Sequence, residues 1–483
     1  MPRFVGRGRE LRALQAELDE CQQTGQGRLV TIRGRRQVGK SALAERWLEG
    51  YGGPAVFFEA HGYTETRELG RFRDALAASS LPSAAQASGV TFGDWQAALV
   101  TAAANACRER PSVIVLDEFP DLCDRVRDAD GNAAPSPQEG AIRAAWRELQ
   151  KLPVMVVLIG SDLSMMTRLT TYGFPLFQRP TRQMVVEPLS PLEVSQITGR
   201  SGDAAIDAYL VTGGFPKIVD LWRVGSLESF LRKELADPSS EYVTAAARIL
   251  DGELPAAIAA RTVLSVIGAG ERTHKGIVDG TGIEGKNLGY PLRTLADKGL
   301  ITSALPLSTA RSDARRYRVA DPYLRFWLRF IEPIRGEIDR GIGATNAGRI
   351  ARAFLDYSGL AVEPIVRSAL ERMSAAGDER LGGGRIVGGF WTKDNQVEID
   401  LVGADREEPG DKLQLSFVGT IKWRSAKALD GSDIARLEAA TLRLAGANRD
   451  TPVVAVSRRG FERIARPVAE VTAEELLAAF PAD

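Results

Sequence analysis

The chain has 483 residues, 44% of them hydrophobic and 26% charged, and its 62 basic side chains are matched by 62 acidic ones. That balance excludes recruitment of nucleic acid or anionic membrane by net charge, so any affinity for a polyanion must come from local patches. Cys21, Cys107 and Cys123 lie far apart and the only histidines are His61 and His274, which excludes a structural zinc site on spacing.

At roughly 100–200 residues per domain the length suggests about three units. The opening residues, MPRFVGRGRE, lack the apolar stretch of a signal peptide. No run reaches the roughly 18 apolar residues a spanning helix needs, so a cytoplasmic protein without membrane segments is expected.

Leu11, Leu14, Leu18 and Cys21 recur at helical steps and predict an amphipathic first helix. The run RLVTIRG then predicts a buried strand. It leads into Gly34-Arg-Arg-Gln37-Val38-Gly39-Lys40-Ser41 and the helical ALAERWLEG that begins at Ala42. This is G-x-x-x-x-G-K-S between strand and helix, the context that gives a phosphate-binding loop its meaning. Glycines let backbone N–H groups and the helix N-terminus close around phosphates. Lys40 is placed to reach the β- and γ-phosphates and Ser41 to ligate Mg²⁺.

A second acid must hold that metal from the end of another buried strand. SVIVLDEFPDL supplies it, with Val113–Leu116 continuously apolar, Asp117 at the strand end and Glu118 next to it as the group to polarise water. AVFFEA and VMVVLIGSD predict further strands of one sheet. Ser161 and Asp162 end the latter, where a phosphate-sensing role and a turn or cap role are both open.

In order along the chain, FVGRGREL (4–11), GRRQVGKS, VIVLDEFP, IGSDLSMM (159–166), FPLFQRPTRQMVVEPLS (174–190) and GGFPKIV (213–219) resemble the motifs of archaeal-type ATPases of the AAA+/signal-transduction group, over roughly residues 1–250. The resemblance implies ATP with Mg²⁺, Val5, Gly6 and Arg7 beside the adenine, and a helical lid near 190–255. It also implies that Arg179 or Arg182 contacts the γ-phosphate, in cis or from a neighbouring subunit of a homo-oligomer. Gln178 stands where relatives often carry glycine.

Residues 256–335 predict helix, turn, helix, helix and hairpin, the winged helix-turn-helix pattern. Leu288, Leu292, Leu295 and Leu300 form the apolar stripe. Lys286, Arg293 and Lys298 lie on the polar side, with Arg311, Arg315, Arg316 and Arg318 in the wing, a set suited to double-stranded DNA. The alternative is a packing module. Phe326, Trp327 and Phe330 in the apolar helix 321–333 read as interdomain core.

After a linker, residues 345–483 predict helix, hairpin strands, helix and strand, an α/β unit. Acid, strand and acid-x-Lys is the arrangement of restriction-endonuclease-like nucleases, whose carboxylates bind Mg²⁺. The segment resembles the domain of unknown function that follows such ATPases, which implies Glu363, Asp400 and Lys422 as the site. Thr420 stands where that pattern has glutamate. Glu438 is a candidate displaced acid, and Glu398 is expected to point away.

The expected fold is α/β: a P-loop core (1–190), a lid (191–255), a winged helix (256–335) and a restriction-endonuclease-like domain (345–483). Two functions remain open at this level. One is an ATPase whose nucleotide state controls a DNA-handling C-terminal half. The other is an ATP-dependent scaffold for a protein partner, with an inactive nuclease-like domain.

Overall fold

The apolar runs of the N-terminal part are short, rich in Val, Ile and Leu, and bounded by Gly, Pro and charged residues, which favours strands covered on both faces. In the computed structural model, which describes residues 4–124, 126–128, 133–255, 257–270, 272–464 and 467–481, they form one parallel sheet. Strands β1 (Arg28–Arg33), β2 (Ala55–Glu59) and β3 (Ser112–Asp117) are followed by a two-residue pair, β4 (Val126–Arg127) with β5 (Ala133–Ala134). Then come β6 (Val154–Gly160) and β7 (Arg182–Val185). The sheet order is β2-β3-β6-β1-β7, with every pairing parallel.

Every residue of β3 and β6 is buried. Helices on the sheet supply the cover: Phe72 from helix Glu65–Ala77 and Trp95 from helix Trp95–Ala102 pack edge-on with ring centroids 5.4 Å apart, and Phe58 of β2 meets Phe72 at the same spacing. These elements belong to one compact unit, residues 6–188.

The second unit starts at Leu189 and also takes in Val5. Its first part is helical: Pro191–Thr198, Gly202–Thr212, Pro216–Asp220, Leu227–Glu234 and Glu241–Glu253. Three more helices follow, Ile258–Ala269, His274–Thr281 and Gly289–Asp297, and then an antiparallel pair, β8 (Ile301–Ala304) with β9 (Arg316–Val319). The aromatic segment after it is core. Phe326, Trp327 and Phe330 are buried, Trp327 donates to Val243 O at 2.9 Å, and the Tyr323 hydroxyl donates to Tyr242 O at 2.7 Å.

The C-terminal sheet is mixed. Strands β10 (Ile386–Trp391), β11 (Glu398–Ala404), β12 (Leu415–Lys422), β13 (Val453–Ser457) and β14 (Ala469–Val471) lie in that order. β10, β11 and β12 pair antiparallel, whereas β12, β13 and β14 pair parallel. Helix Gly431–Thr441 makes the crossover that parallel pairing requires. Helices Ala347–Ala361 and Glu363–Ala375 precede the sheet.

Within this unit helix Gly202–Thr212 is joined to the mixed-sheet domain. Asp207 accepts from Trp423 Nε1 at 3.2 Å and from Arg458 Nη2 at 2.6 Å, while Arg458 Nε reaches Asp203 at 2.8 Å. Among the described residues no helix is long and apolar enough to cross a membrane.

Candidate functional site

The loop between β1 and helix Lys40–Tyr51 needs backbone conformations that L side chains avoid. Gly39 sits at φ 92° as the residue before the helix. A Cβ on Gly34 would lie 2.4 Å from Val186 O, so only glycine lets the loop pass β7's exit. Lys40 is buried and its Nζ donates to Gly34 O at 3.0 Å and Arg35 O at 2.9 Å. The ammonium is therefore held over the concave side of the loop.

Asp117 ends β3, almost fully buried, and its carboxylate takes hydrogen bonds from Ser41 and from the Glu118 amide, the latter at 2.9 Å. Burial pushes the Asp117 carboxyl above its ordinary range, and those two donors and Lys40 pull against it. Ser41 and Asp117 are thus in mutual contact, as a shared cation requires.

Glu118 adopts φ 47°, in the left-handed region, which turns its side chain away from the strand. Its Oε2 accepts from Ser161 Oγ at 2.7 Å and from Ser161 N at 3.3 Å. Ser161 is buried at the end of β6, and Asp162 caps the following helix by accepting from Met165 N at 3.0 Å. The two residues that the sequence left undivided therefore have separate jobs.

Arg7 is buried and donates from Nη2 to Val38 O at 3.1 Å. It braces the phosphate loop from outside, a contact that sequence reasoning missed. Both Gly6 (φ 76°) and Gln37 (φ 66°) are left-handed turn positions.

The arginines divide. Arg179 is exposed on the segment before β7. Arg182 is not brought to the loop within this chain: it pairs in register with Val30, three residues before β1 ends, and its Nε is bound to Glu17 at 2.9 Å. Glu17 also accepts from Thr181 at 2.7 Å and from Arg28 at 3.0 Å, so Arg182 belongs to a network that fastens the first helix to the sheet edge.

In the mixed-sheet domain, Glu363, Asp400, Thr420 and Lys422 do converge. One step beyond the Leu401–Gly419 pair, Asp400 stands opposite Thr420 across the β11–β12 ladder. Asp400 Oδ2 accepts from Thr420 Oγ1 at 2.9 Å and from Ile421 N at 2.8 Å, with Lys422 Nζ at 3.8 Å. Threonine at this place therefore satisfies the aspartate instead of adding charge.

Glu363 opens its helix and pairs with Arg367 at 2.9 Å, one turn on. Burial raises the Glu363 carboxyl, Arg367 opposes that, and the Asp400 charge adds to it. Arg367 also donates to Asp400 O at 2.8 Å. The Glu363–Arg367 spacing of four residues was the readable signal for this arginine.

Among the described residues, no three His, Cys, Asp or Glu side chains gather as a metal would require. The expected Glu363, Asp400 and Lys422 set is thus two carboxylates and a cation, too few acids for a well-held Mg²⁺. Glu398, expected to point away, lies two residues from Asp400 on the same strand face and is bound to Arg316 at 2.6 Å.

The basic residues of the 256–335 segment also divide. Arg293, Arg311 and Arg315 are exposed, and Lys286 is exposed beside Glu284 at 2.8 Å. Lys298 pairs with Glu253 at 3.6 Å. Arg316 is buried on the Trp391 ring and bonded to Glu398 and Asn395, and Arg318 is turned inward with its Nε on Thr302 Oγ1 at 2.9 Å. These last two are removed from the expected phosphate-facing set, because β9 presents that face to the mixed-sheet domain.

Comparison with known proteins agrees with the first site. The family described as "AAA ATPase domain" matches residues 3–157, and one described as "Archaea bacterial proteins of unknown function" matches residues 327–434. An uncharacterized protein of Methanocaldococcus jannaschii is 23% identical over 90% of both chains. Among solved structures, the Walker-type ATPase of Pyrococcus abyssi aligns with TM-score 0.46 and 18% identity, covering 68% of this chain and 96% of that one. The ORC2 protein of Aeropyrum pernix aligns with TM-score 0.43 and 14% identity, covering 73% and 95%. The chain thus combines an AAA-type ATPase domain with a C-terminal segment like that of archaeal and bacterial proteins of unknown function.

Proposed function

We propose that this protein binds and hydrolyses ATP with Mg²⁺, and that its nucleotide state governs a DNA-binding C-terminal half that does not itself cut. The observation that carries the first part is the convergence of Lys40, Ser41, Asp117, Glu118 and Ser161 at the C-terminal ends of three neighbouring strands, β1, β3 and β6.

The residues fit a Mg²⁺-nucleotide. Gly34 lets the loop pass the Val186 carbonyl, where a Cβ would collide, Lys40 is held over the loop, and Ser41 already touches Asp117. Bound Mg²⁺ would neutralise charge on the β- and γ-phosphate oxygens. Loop amides of residues 34–42 would surround the phosphates, and Lys40 would exchange its two carbonyl partners for phosphate oxygens. Glu118, with one oxygen fixed by Ser161, keeps the other to accept a proton from water. Arg179 is the exposed arginine suited to act from a neighbouring subunit.

For the second unit we assign residues 191–255 as a lid, 256–335 as a winged helix and 345–483 as a restriction-endonuclease-like domain. The three helices with their β8–β9 pair support the winged-helix reading. Exposed Arg293, Arg311 and Arg315 support duplex contact through phosphates. Loss of cutting follows from Thr420, which gives Asp400 a hydrogen bond where the catalytic pattern needs a further acid.

Steady-state ATP turnover with Mg²⁺, with and without duplex DNA, tests both parts. The expected result is turnover that DNA stimulates and that salt returns to basal level. Turnover indifferent to DNA would replace the DNA reading with the protein-scaffold one, which the inward-facing Arg316 and Arg318 favour. Absence of turnover would remove the ATPase.

A further inference from the structure

Six arginines line one cavity of about 380 Å³ within the C-terminal unit: Arg272, Arg316, Arg318, Arg325, Arg329 and Arg367. It lies between helix Ile258–Ala269, the β8–β9 pair and the two helices that flank Val362. Only two acids, Asp356 and Glu363, are among the described residues of its wall. The cavity thus holds a surplus of positive charge in a chain that is neutral overall.

Some of that charge is spoken for. Arg316 is bound by Glu398, Arg367 by Glu363, and Arg329 donates to Ala269 O. Arg318 and Arg325 are different. Arg318 is half-buried, donates through Nε to the Thr302 hydroxyl, and forms an ion pair with no carboxylate among the described residues. Its charged neighbours are Arg367, Arg325 and Glu363, and burial together with the two like charges outweighs the Glu363 carboxylate and pushes its guanidinium down to about 10. Arg325 donates to Ala361 O at 2.6 Å, while its buried Nε has no hydrogen-bond partner.

Six guanidinium groups around one cavity outnumber its two acids, and partly desolvated like charges of this kind are compensated by a counter-charge. The guanidinium fork matches the tetrahedral oxygens of phosphate, and a cluster of forks favours a dianion over a single carboxylate. Part of the wall is apolar, with Ile267, Val319, Phe330 and Leu360 facing the same space. The volume falls at the lower end of the roughly 300–1,000 Å³ typical of small-molecule sites.

We propose that this cavity binds a small phosphate-bearing molecule of about mononucleotide size, with its phosphate on Arg318 and Arg325 and its body against the apolar wall. The site is separate from the phosphate loop and does not depend on ATP hydrolysis. Nothing in it requires the ligand to react.

The test uses the full chain carrying Lys40→Ala, so that the phosphate loop contributes little. Binding of thymidine monophosphate, orthophosphate and uncharged thymidine is measured by calorimetry and by thermal shift. Saturable binding of the first two, no binding of thymidine, and at least about a tenfold loss of thymidine monophosphate affinity in Arg318→Gln are expected. Arg318→Gln should also leave the ligand-free protein as stable as its parent or more so, because it relieves like-charge repulsion. Should that variant fail to fold, Arg325→Gln is read by the same criteria. Failure of both phosphate probes to bind would overturn the proposal. So would thymidine binding as well as its monophosphate, or a folded variant that keeps parental affinity.

Discussion

Ser161 holds Glu118 by two donors on one oxygen, its hydroxyl at 2.7 Å and its amide at 3.3 Å. A tertiary contact between the ends of β6 and β3 thus sets the direction of the acid proposed to activate water. The amide contact survives any substitution, whereas the hydroxyl does not. Ser161→Ala is expected to lower kcat by about tenfold with little change in KM, the signature of a lost positioning contact. Glu118→Gln should abolish turnover and keep nucleotide binding. Steady-state kinetics with a nucleotide-binding assay separates the two, and full activity in Glu118→Gln would remove its assigned role.

Lys40→Ala removes the ammonium held over the loop by Gly34 O and Arg35 O. Loss of hydrolysis by a factor on the order of 10² or more is expected, with weaker nucleotide binding. Wild-type turnover in this variant would sink the phosphate-loop assignment.

Thr420→Glu places a third carboxylate beside Asp400 and Glu363, at the strand position from which Thr420 now donates to Asp400. In that variant Mg²⁺ or Mn²⁺ should raise the thermal midpoint, an effect that the natural protein should lack. Thr420→Val, by contrast, should cost about 1 kcal/mol, because Asp400 loses a donor. Identical metal responses in the natural and Thr420→Glu proteins would show that the site cannot be completed from this position.

Asp207 gives a pH test. Burial pushes its carboxyl up to about 6, against the lowering pull of Arg458 and Trp423. A carboxyl raised from 3.8 in the folded state binds more protons folded than unfolded between those values, so its contribution to stability declines as pH rises through that window. Relative to Asp207→Asn, the natural protein should therefore lose stability between pH about 4 and pH about 6.5. Urea denaturation of both proteins across that range measures it. A constant difference would mean that the carboxyl is not raised.

The motif-bearing parts were legible because their physics is local. A buried strand followed by glycines, lysine and serine has one geometry, and Asp117 at the end of SVIVLD can only sit at the sheet's C-terminal edge. Ser161 was placed at a strand end, but its partner Glu118 is 43 residues away and no local rule connects them. For Arg182, a charge at the start of a strand gives no hint of the Glu17 partner on another element.

The wing arginines carried an unused clue. Arg316 and Arg318 share one face of β9, while Arg311 and Arg315 precede the strand, so the four basic positions do not line up on one strand face. Which face is covered depends on the mixed-sheet domain, whose Glu398 and Trp391 claim Arg316. That information is spread over some eighty residues of chain and escapes pattern reading.

The change from antiparallel to parallel pairing at β12 has a kinetic consequence. β10, β11 and β12 are joined by the connections 392–397 and 405–414, but β13 reaches β12 only after the 423–452 crossover. Closing the longer segment costs more chain entropy before any contact rewards it. The meander therefore zips first, and the Asp400–Thr420 contact exists while Lys422 still lacks its β13 neighbour Ser457. In pulse-labelled hydrogen exchange the amides of β11 gain protection ahead of those of β13, and the reverse order would refute this sequence of events.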